Sequence, residues 1–301
     1  MMRILQTLCS LPLVLAAATV LASESPLQPA LIQQSSAAAT RASLEAWRDL
    51  NPKKLKLRSA SALVVDQYGN KIYGKETEAP LPIASITKLM TAMVVLDAKL
   101  PLEEQITITK EDRDLLKQTG SRLKYGASLS RRELIRIALV ASENRAASAL
   151  ARTYPGGKAA FIRAMNQKAR DLGMEDSWFV DSAGLDAGNV ASAQDLVKMV
   201  QASRAYPLIH QATTTRSVIV HPYKRRGPLR YSNTNRLLKN NSWDIELSKT
   251  GYINEAGRCL VMQAEIAGQP LVIVLLNSFG KLTPFGDSNR IRKWIEGEVN
   301  G

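Results

Sequence analysis

The chain has 301 residues, 45% of them hydrophobic and 22% charged, with a formal net charge of +13. That length fits one large domain or two interleaved ones, and the composition excludes a disordered chain and a multi-span membrane protein. So basic a chain suggests nucleic acid, but it shows no basic helix interleaved with aromatics, and an export signal opens it.

That signal occupies residues 1–22. Arg3 supplies a positive start, Leu11 to Leu21 an apolar stretch, and Val20-Leu21-Ala22 the small residues of a cleavage site, followed by polar Ser23-Glu24-Ser25. The run is short for a membrane span. A periplasmic location is expected, and the basic surface then points to an anionic extracytoplasmic partner, an acidic wall polymer or a lipid surface, rather than nucleic acid. Cys9 would leave with the signal, so Cys259 is expected as a buried structural thiol without a disulfide. Residues 23–58 read as a flexible leader, rich in Ser, Ala, Gln and Pro at first. Within it Ala42 to Leu50 could turn as a short helix, and Lys53 to Arg58 form a basic run.

A strand is expected at Ser61 to Asp66, a turn at Tyr68-Gly69-Asn70, and a return strand from Lys71. From Ser85 to about Leu96 the pattern is helical and apolar on every side, as in a buried helix. Helical periodicity then dominates from about 100 to 210, with helices at Arg131 to Ala151, Ala159 to Leu172 and Gln194 to Ala205. Three strands follow, at Ile245 to Tyr252, Gly257 to Ala264 and Leu271 to Ser278, and a closing helix at Ile291 to Glu298. No hydrophobic or amphipathic tail comes after it, so no C-terminal membrane anchor is expected. With strands at both ends and helices between, the expected class is α+β: an antiparallel β-sheet with helices on both faces. The domain would span 59–301, with an all-helical subdomain inserted at about 100–210.

Elimination narrows the chemistry. Two scattered histidines, His210 and His221, and one apolar-flanked cysteine make a zinc hydrolase a poor fit, and neither histidine lies near a GxSxG serine. No metal and no cofactor are expected. Three short patterns remain, in order: Ser85-Ile86-Thr87-Lys88, Ser142-Glu143-Asn144 and Lys249-Thr250-Gly251. S-x-x-K alone is weak, since Ser121–Lys124 and Ser278–Lys281 repeat it. Only the first copy opens an apolar helix, where residues three apart share a face and the serine meets the helix N-terminus. Ser142 interrupts a helical pattern, and Lys249 falls in a predicted strand where Gly251 would let another backbone approach closely.

A serine hydroxyl needs a base, and Lys88 can serve only when neutral; burial and a second cation, Lys249, both favour that form. Lys249 should stay charged and hold an anionic group of the substrate, with Thr250. Ser142 could relay a proton, and Asn144 could hold Lys88 and a substrate amide. Backbone N–H groups of Ser85 and Tyr252 could meet the oxyanion.

At these residues the chain resembles the low-molecular-mass penicillin-binding proteins, the serine DD-peptidase family. The likeness extends over Pro82 to Ala98, Ser142 to Ala147, Tyr154 to Gly157 and Leu247 to Tyr252, and covers roughly Ser59 to Glu298. It implies a serine β-lactamase/DD-peptidase-like fold and action on peptidoglycan peptide cross-links through an acyl-enzyme on Ser85, which β-lactam antibiotics would trap. The lack of a C-terminal β-domain and tail favours the endopeptidase branch. The rivals are a D-alanyl-D-alanine carboxypeptidase, a class A β-lactamase (no Glu-x-x-Leu-Asn segment lies between Asn144 and Lys249) and a non-catalytic wall-binding protein. Oligomeric state stays open.

Overall fold

The structure, a computed structural model, describes Glu45 and residues 47–299. The expected signal and the first part of the leader lie outside the described residues, as does most of the short helix expected at Ala42 to Leu50.

The architecture is α+β. β1 (Ser59–Asp66) and β2 (Lys71–Lys75) form the first hairpin. Asp66 closes its turn by accepting the N–H groups of Tyr68 and Asn70. β3 (Leu81–Pro82) leads through a 3-10 turn, Ala84–Ile86, into α1 (Thr87–Asp97). A long irregular stretch follows, containing β4 (Gln105–Thr107) and β5 (Ser128–Ser130). The helical body is built of α2 (Arg131–Val140), α3 (Asn144–Arg152) and α4 (Gly157–Asp171), then β6 (Val190–Ala191), α5 (Ala193–Ser203) and α6 (Pro207–Thr214). A ribbon of β7 (Ser217–Val220) and β8 (Leu229–Ser232) precedes the long strands β9 (Asp244–Ile253), β10 (Gly257–Ile266) and β11 (Gln269–Ser278), and α7 (Thr283–Val299) closes the chain's described part.

The main sheet has the order β2-β1-β11-β10-β9, all neighbours antiparallel. The two ends of the chain thus meet where β1 pairs with β11. Both faces are covered, so these strands bury residues on both sides, and alternation decides which core each joins. Leu63, Val65, Val261, Val272 and Val274 face the helical body. Ala62, Val64, Leu260, Met262, Ile273 and Leu275 face α7 and the N-terminal segment. The β10–β11 connection is the two-residue turn Ala267-Gly268, both at positive φ (51° and 74°), which matches the right-handed twist of the strands.

α1 is the central pillar of the helical side: every residue from Ile86 to Val95 is buried. α2 begins at a reciprocal cap in which Ser130 accepts the Glu133 N–H and the Glu133 carboxylate accepts the Ser130 N–H.

The structure departs from the expected elements in six places. α1 begins at Thr87 rather than Ser85, because Ala84 sits at φ +47° and Ser85 lies in the preceding 3-10 turn. The helix expected over Arg131 to Ala151 is two helices, broken at Ser142, whose φ is +59°. The part from about 100 to 130 of the stretch expected to be dominated by helices is mostly irregular, and the β7–β8 ribbon was not expected; its alternation is too short to rise above the polar context. α7 starts at Thr283, eight residues early, because Gly286 masks the helical pattern. Residues 47–58, expected in the leader, pack on the sheet through buried Trp47, Leu50 and Leu55. Among the described residues, no helix is long and apolar enough to cross a membrane.

Candidate active site

The three sequence patterns converge on one cleft of about 440 Å³, lined among others by Ser85, Ser142, Asn144, Thr250, Gly251 and Tyr252. Each reaches it from a different element: the 3-10 turn before α1, the break between α2 and α3, and the edge strand β9.

Lys88, one turn into the helical run, is fully buried. Its Nζ lies 2.8 Å from Ser85 Oγ, 2.8 Å from Asn144 Oδ1 and 2.5 Å from the Ala183 carbonyl. Burial pushes its amine from 10.5 down to about 7, against the raising fields of Asp181, Glu143 and Asp114. Across the cleft Lys249 is equally buried; its Nζ donates to Ser142 Oγ at 3.0 Å and to the Thr250 carbonyl at 2.9 Å. Burial, and then the charge of Lys88, hold its pKa well below the ordinary lysine value. Two buried amines thus share one site, and protonating either disfavours protonating the other. An anionic group beside Lys249 would favour its charged form.

The expected close backbone approach falls at Gly251. A Cβ there would stand 2.7 Å from the Ile83 carbonyl and 3.2 Å from Ser85 N. The edge strand therefore lies directly on the turn that carries Ser85, and only glycine permits it. Tyr252 follows, its ring exposed under the Arg258 guanidinium, 3.5 Å from the centroid. Thr250 Oγ1 donates to Thr234 Oγ1 at 2.6 Å.

Some participants were not anticipated from the sequence. Thr119 Oγ1 donates to Asp114 Oδ2 at 2.7 Å and accepts from Asn144 Nδ2 at 2.9 Å. Its one proton is committed to the carboxylate, so its lone pairs face the Asn144 amide and Asn144 Oδ1 is turned to Lys88. Burial alone would raise the Asp114 pKa, but donors from Thr119, Lys117 and Leu116 hold it below the usual carboxylate value. On the far side, the Asp181 carboxylate accepts the N–H groups of Ala183, Gly184, Leu185 and Asp186. It thereby shapes the loop whose Ala183 carbonyl meets Lys88. Gly184, at φ +74°, lets this loop touch Ala84: a Cβ would lie 1.9 Å from the Ala84 carbonyl oxygen. Asp-Ser-Ala-Gly at 181–184 reads as a turn in sequence, but nothing local says which turn it abuts. Arg236, Arg258 and Lys281 add cations to the cleft wall.

The remaining candidates sit elsewhere. Ser121 and Lys124 belong to a surface loop, and Ser278 is buried at the end of β11, bonded to Ser59 at 2.7 Å. His210 lies on α6 with Nδ1 3.0 Å from the Glu246 carbonyl, and His221 is on the surface after β7. Cys259 is buried beneath the cleft, and burial pushes its thiol up to about 12, so it is no thiolate nucleophile. Among the described residues no group of three or more His, Cys, Asp or Glu could hold a metal ion.

A serine and a buried low-pKa lysine in one turn, beside a second buried lysine on an edge strand, make a candidate serine-type acyl-transfer site on a sheet flanked by helices. Comparison with known proteins agrees. The sequence pattern of the S11 peptidase family, described as D-alanyl-D-alanine carboxypeptidase, matches residues 48–280. The chain is 47% identical over 249 residues to a D-alanyl-D-alanine endopeptidase of Pseudomonas aeruginosa, covering 81% of this chain and 79% of the relative. It is 43% identical over 272 residues to the D-alanyl-D-alanine endopeptidase of Escherichia coli, covering 90% and 84%. Among solved structures, the Streptomyces K15 DD-transpeptidase superposes with a TM-score of 0.74 at 26% identity, over 80% of this chain and 98% of that one. This chain belongs to the S11 peptidase family and is a serine DD-peptidase.

Proposed function

We propose that this protein is a periplasmic serine DD-endopeptidase that hydrolyses D-alanyl-diaminopimelate cross-links of peptidoglycan through an acyl-enzyme on Ser85, and that β-lactams acylate the same serine. The observation that carries this reading is the 2.8 Å contact between Ser85 Oγ and a buried Lys88 amine whose pKa is about 7.

In the proposed reaction neutral Lys88 takes the Ser85 hydroxyl proton as Oγ attacks the D-alanyl carbonyl carbon. The oxyanion forms between the backbone N–H groups of Ser85 and Tyr252, each worth about 3–4 kcal/mol in such sites. The C–N bond then breaks, and the leaving amine takes a proton relayed from the Lys88 ammonium through Ser142. Water, deprotonated by Lys88, cleaves the ester and regenerates Ser85. Lys249, with Thr250 and Thr234, holds the carboxylate of the substrate, whose peptide runs along the edge of β9. Asn144 orients Lys88.

The endopeptidase names of the two relatives favour cross-link cleavage over removal of a terminal D-alanine. Export rests on the N-terminal pattern of Arg3, Leu11 to Leu21 and Ala22. The deciding experiment offers wild type and Ser85→Ala cross-linked muropeptide dimer, monomeric pentapeptide and labelled penicillin. Dimer cleavage and labelling by wild type alone are expected. Loss of terminal D-alanine with intact dimer would make it a carboxypeptidase, and no turnover with no labelling would leave a wall-binding protein.

A further inference from the structure

Positive charge is concentrated in one stretch of this chain. Residues 196–243 contain nine Lys or Arg and no Asp or Glu. Two of the nine, Lys198 and Arg204, are tied to Asp195 and Gln263. The fold brings the ribbon that carries most of the others against the loop 121–126, which adds Arg122 and Lys124.

Hydrogen bonds and cation–ring contacts join ribbon and loop. Tyr223 Oη accepts the Lys124 N–H at 2.7 Å and donates to the Arg122 carbonyl at 3.2 Å. Arg122 Nη1 donates to the Arg230 carbonyl at 2.7 Å, and its guanidinium stands 4.1 Å from the Tyr231 ring centroid. Arg226 lies 5.3 Å from the Tyr223 centroid. At the ribbon's base, Arg216, Arg230 and Lys239 line a hollow of about 250 Å³. At its tip Lys224, Arg225 and Arg226 follow one another in the β7–β8 connection. All these cations are exposed. Within the described residues none of them forms an ion pair; the ion pairs there engage other lysines and arginines. Like charges so gathered repel unless a counter-anion lies over them, and they generate a strong attractive field for one.

The face continues into the cleft. The chain leaves β8 and lines the cleft with Thr234 and Arg236, and the loop of Arg122 follows Thr119, which lines it too. Arg258 and Lys281 add further positive charge to the lining of the cleft.

We propose that the β7–β8 ribbon and the 121–126 loop form a docking surface for the carboxylate-bearing peptide–glycan polymer itself. The surface holds a neighbouring part of the insoluble polymer while the scissile peptide enters the cleft; this rests on the peptidoglycan-hydrolase reading above. Two observations favour the polymer over a lipid bilayer. Across ribbon and loop only two large apolar side chains are exposed, Ile219 and Tyr125, the latter beneath the Arg145 guanidinium, so little is available to insert among acyl chains. The charged track also leads to Ser85, so a bound anionic chain is delivered to the nucleophile. Many weak contacts of this kind raise the local substrate concentration and are screened by salt.

The test separates binding from cleavage. Sedimentation with purified sacculi is measured for Ser85→Ala protein, with and without Lys224→Glu/Arg225→Glu/Arg226→Glu, at low salt and at about 1 M, where screening acts within about 3 Å. The reversal is expected to lower the bound fraction about tenfold at low salt and to have little effect at high salt. The corresponding triple Gln variant, which removes the charges without reversing them, should fall between and keeps the question open to test if charge reversal disturbs folding. Sacculi whose carboxylates have been amidated should release the parent protein. With Ser85 restored, the reversal should slow digestion of sacculi about tenfold while cleavage of a soluble muropeptide dimer stays within about twofold. Unchanged binding to sacculi overturns the proposal, as does loss of binding to anionic phospholipid vesicles without loss on sacculi, which would make the surface a membrane site. If the unmodified protein cleaves no muropeptide, the hydrolase reading fails, whereas the sedimentation result still scores the surface.

Discussion

The two faces of the main sheet are packed from alternate residues of the same strands, yet they differ in kind. Beneath α7 the core is apolar and aromatic, with Trp47, Trp243 and Trp294 at its margins. Its buried acid, Asp287, is met by the Arg58 and Ser59 N–H groups, the Ser59 hydroxyl and the Arg290 guanidinium. On the helical side a larger apolar core ends at a cleft containing two buried lysines and residues at positive φ, Ala84 at 47° and Ser142 at 59°. Strain and buried charge are unfavourable for folding, and the cleft gathers both at one edge of one core. The apolar face supplies stability without taking part in the proposed chemistry, which frees the cleft to hold groups that a stable core would exclude.

Substitutions on each face should therefore separate activity from stability. The largest effect is expected for Lys88→Met: turnover falls by about 10⁴-fold, in the range for loss of an essential base. The same change removes a buried amine and should raise stability by about 1–2 kcal/mol, read from denaturant midpoints. A variant that loses both activity and stability would contradict the division between the faces. Next, Trp294→Ala on the other face should cost about 3–5 kcal/mol. It removes an edge-on contact with Tyr73 and the indole bond to the Asn51 carbonyl, and kcat/KM of the folded fraction should not change. Gly251→Ala forces β9 off the Ser85 turn and should lower kcat/KM by about 10²-fold, the scale for a misplaced reacting group. Thr119→Val, which leaves the Asn144 amide free to turn, should lower kcat about tenfold with little change in KM, and Thr119→Ser should restore it.

Titration offers the finest test. A lysine at about 7 in the fold and 10.5 when free binds fewer protons folded than unfolded between those values. Stability from this group accordingly rises with pH across that window, and below it the full penalty of charging the buried amine is present. kcat/KM for acylation should rise with pH through about 7 as neutral Lys88 accumulates. A flat profile from pH 5 to about 9 would remove Lys88 from the role of base.

Much of this was legible along the chain. The long strands, the all-apolar helix α1 and the three patterns at Ser85, Ser142 and Lys249 stand out because periodicity and short spacing are local properties. The β7–β8 ribbon escaped because four-residue strands carry too little pattern, and α7 began early because a glycine in its first turns reads as a break. Thr119, Asp114 and Asp181 escaped for a deeper reason. Their polar side chains look like ordinary loop residues until the loops are seen bonded to Asn144 and presenting the Ala183 carbonyl to Lys88.

By itself, then, the order of residues determined which groups this protein has for chemistry and which segments form its core, since hydrophobic period and side-chain type do not depend on distant neighbours. Only the folded arrangement decided that the amines of Lys88 and Lys249 share one buried space, that Gly251 lies on the Ser85 turn, and that cations far apart in the chain form one surface. Burial and proximity control the pKa of a lysine and the reach of its charge, and both are properties of contacts between segments that the chain order leaves unspecified.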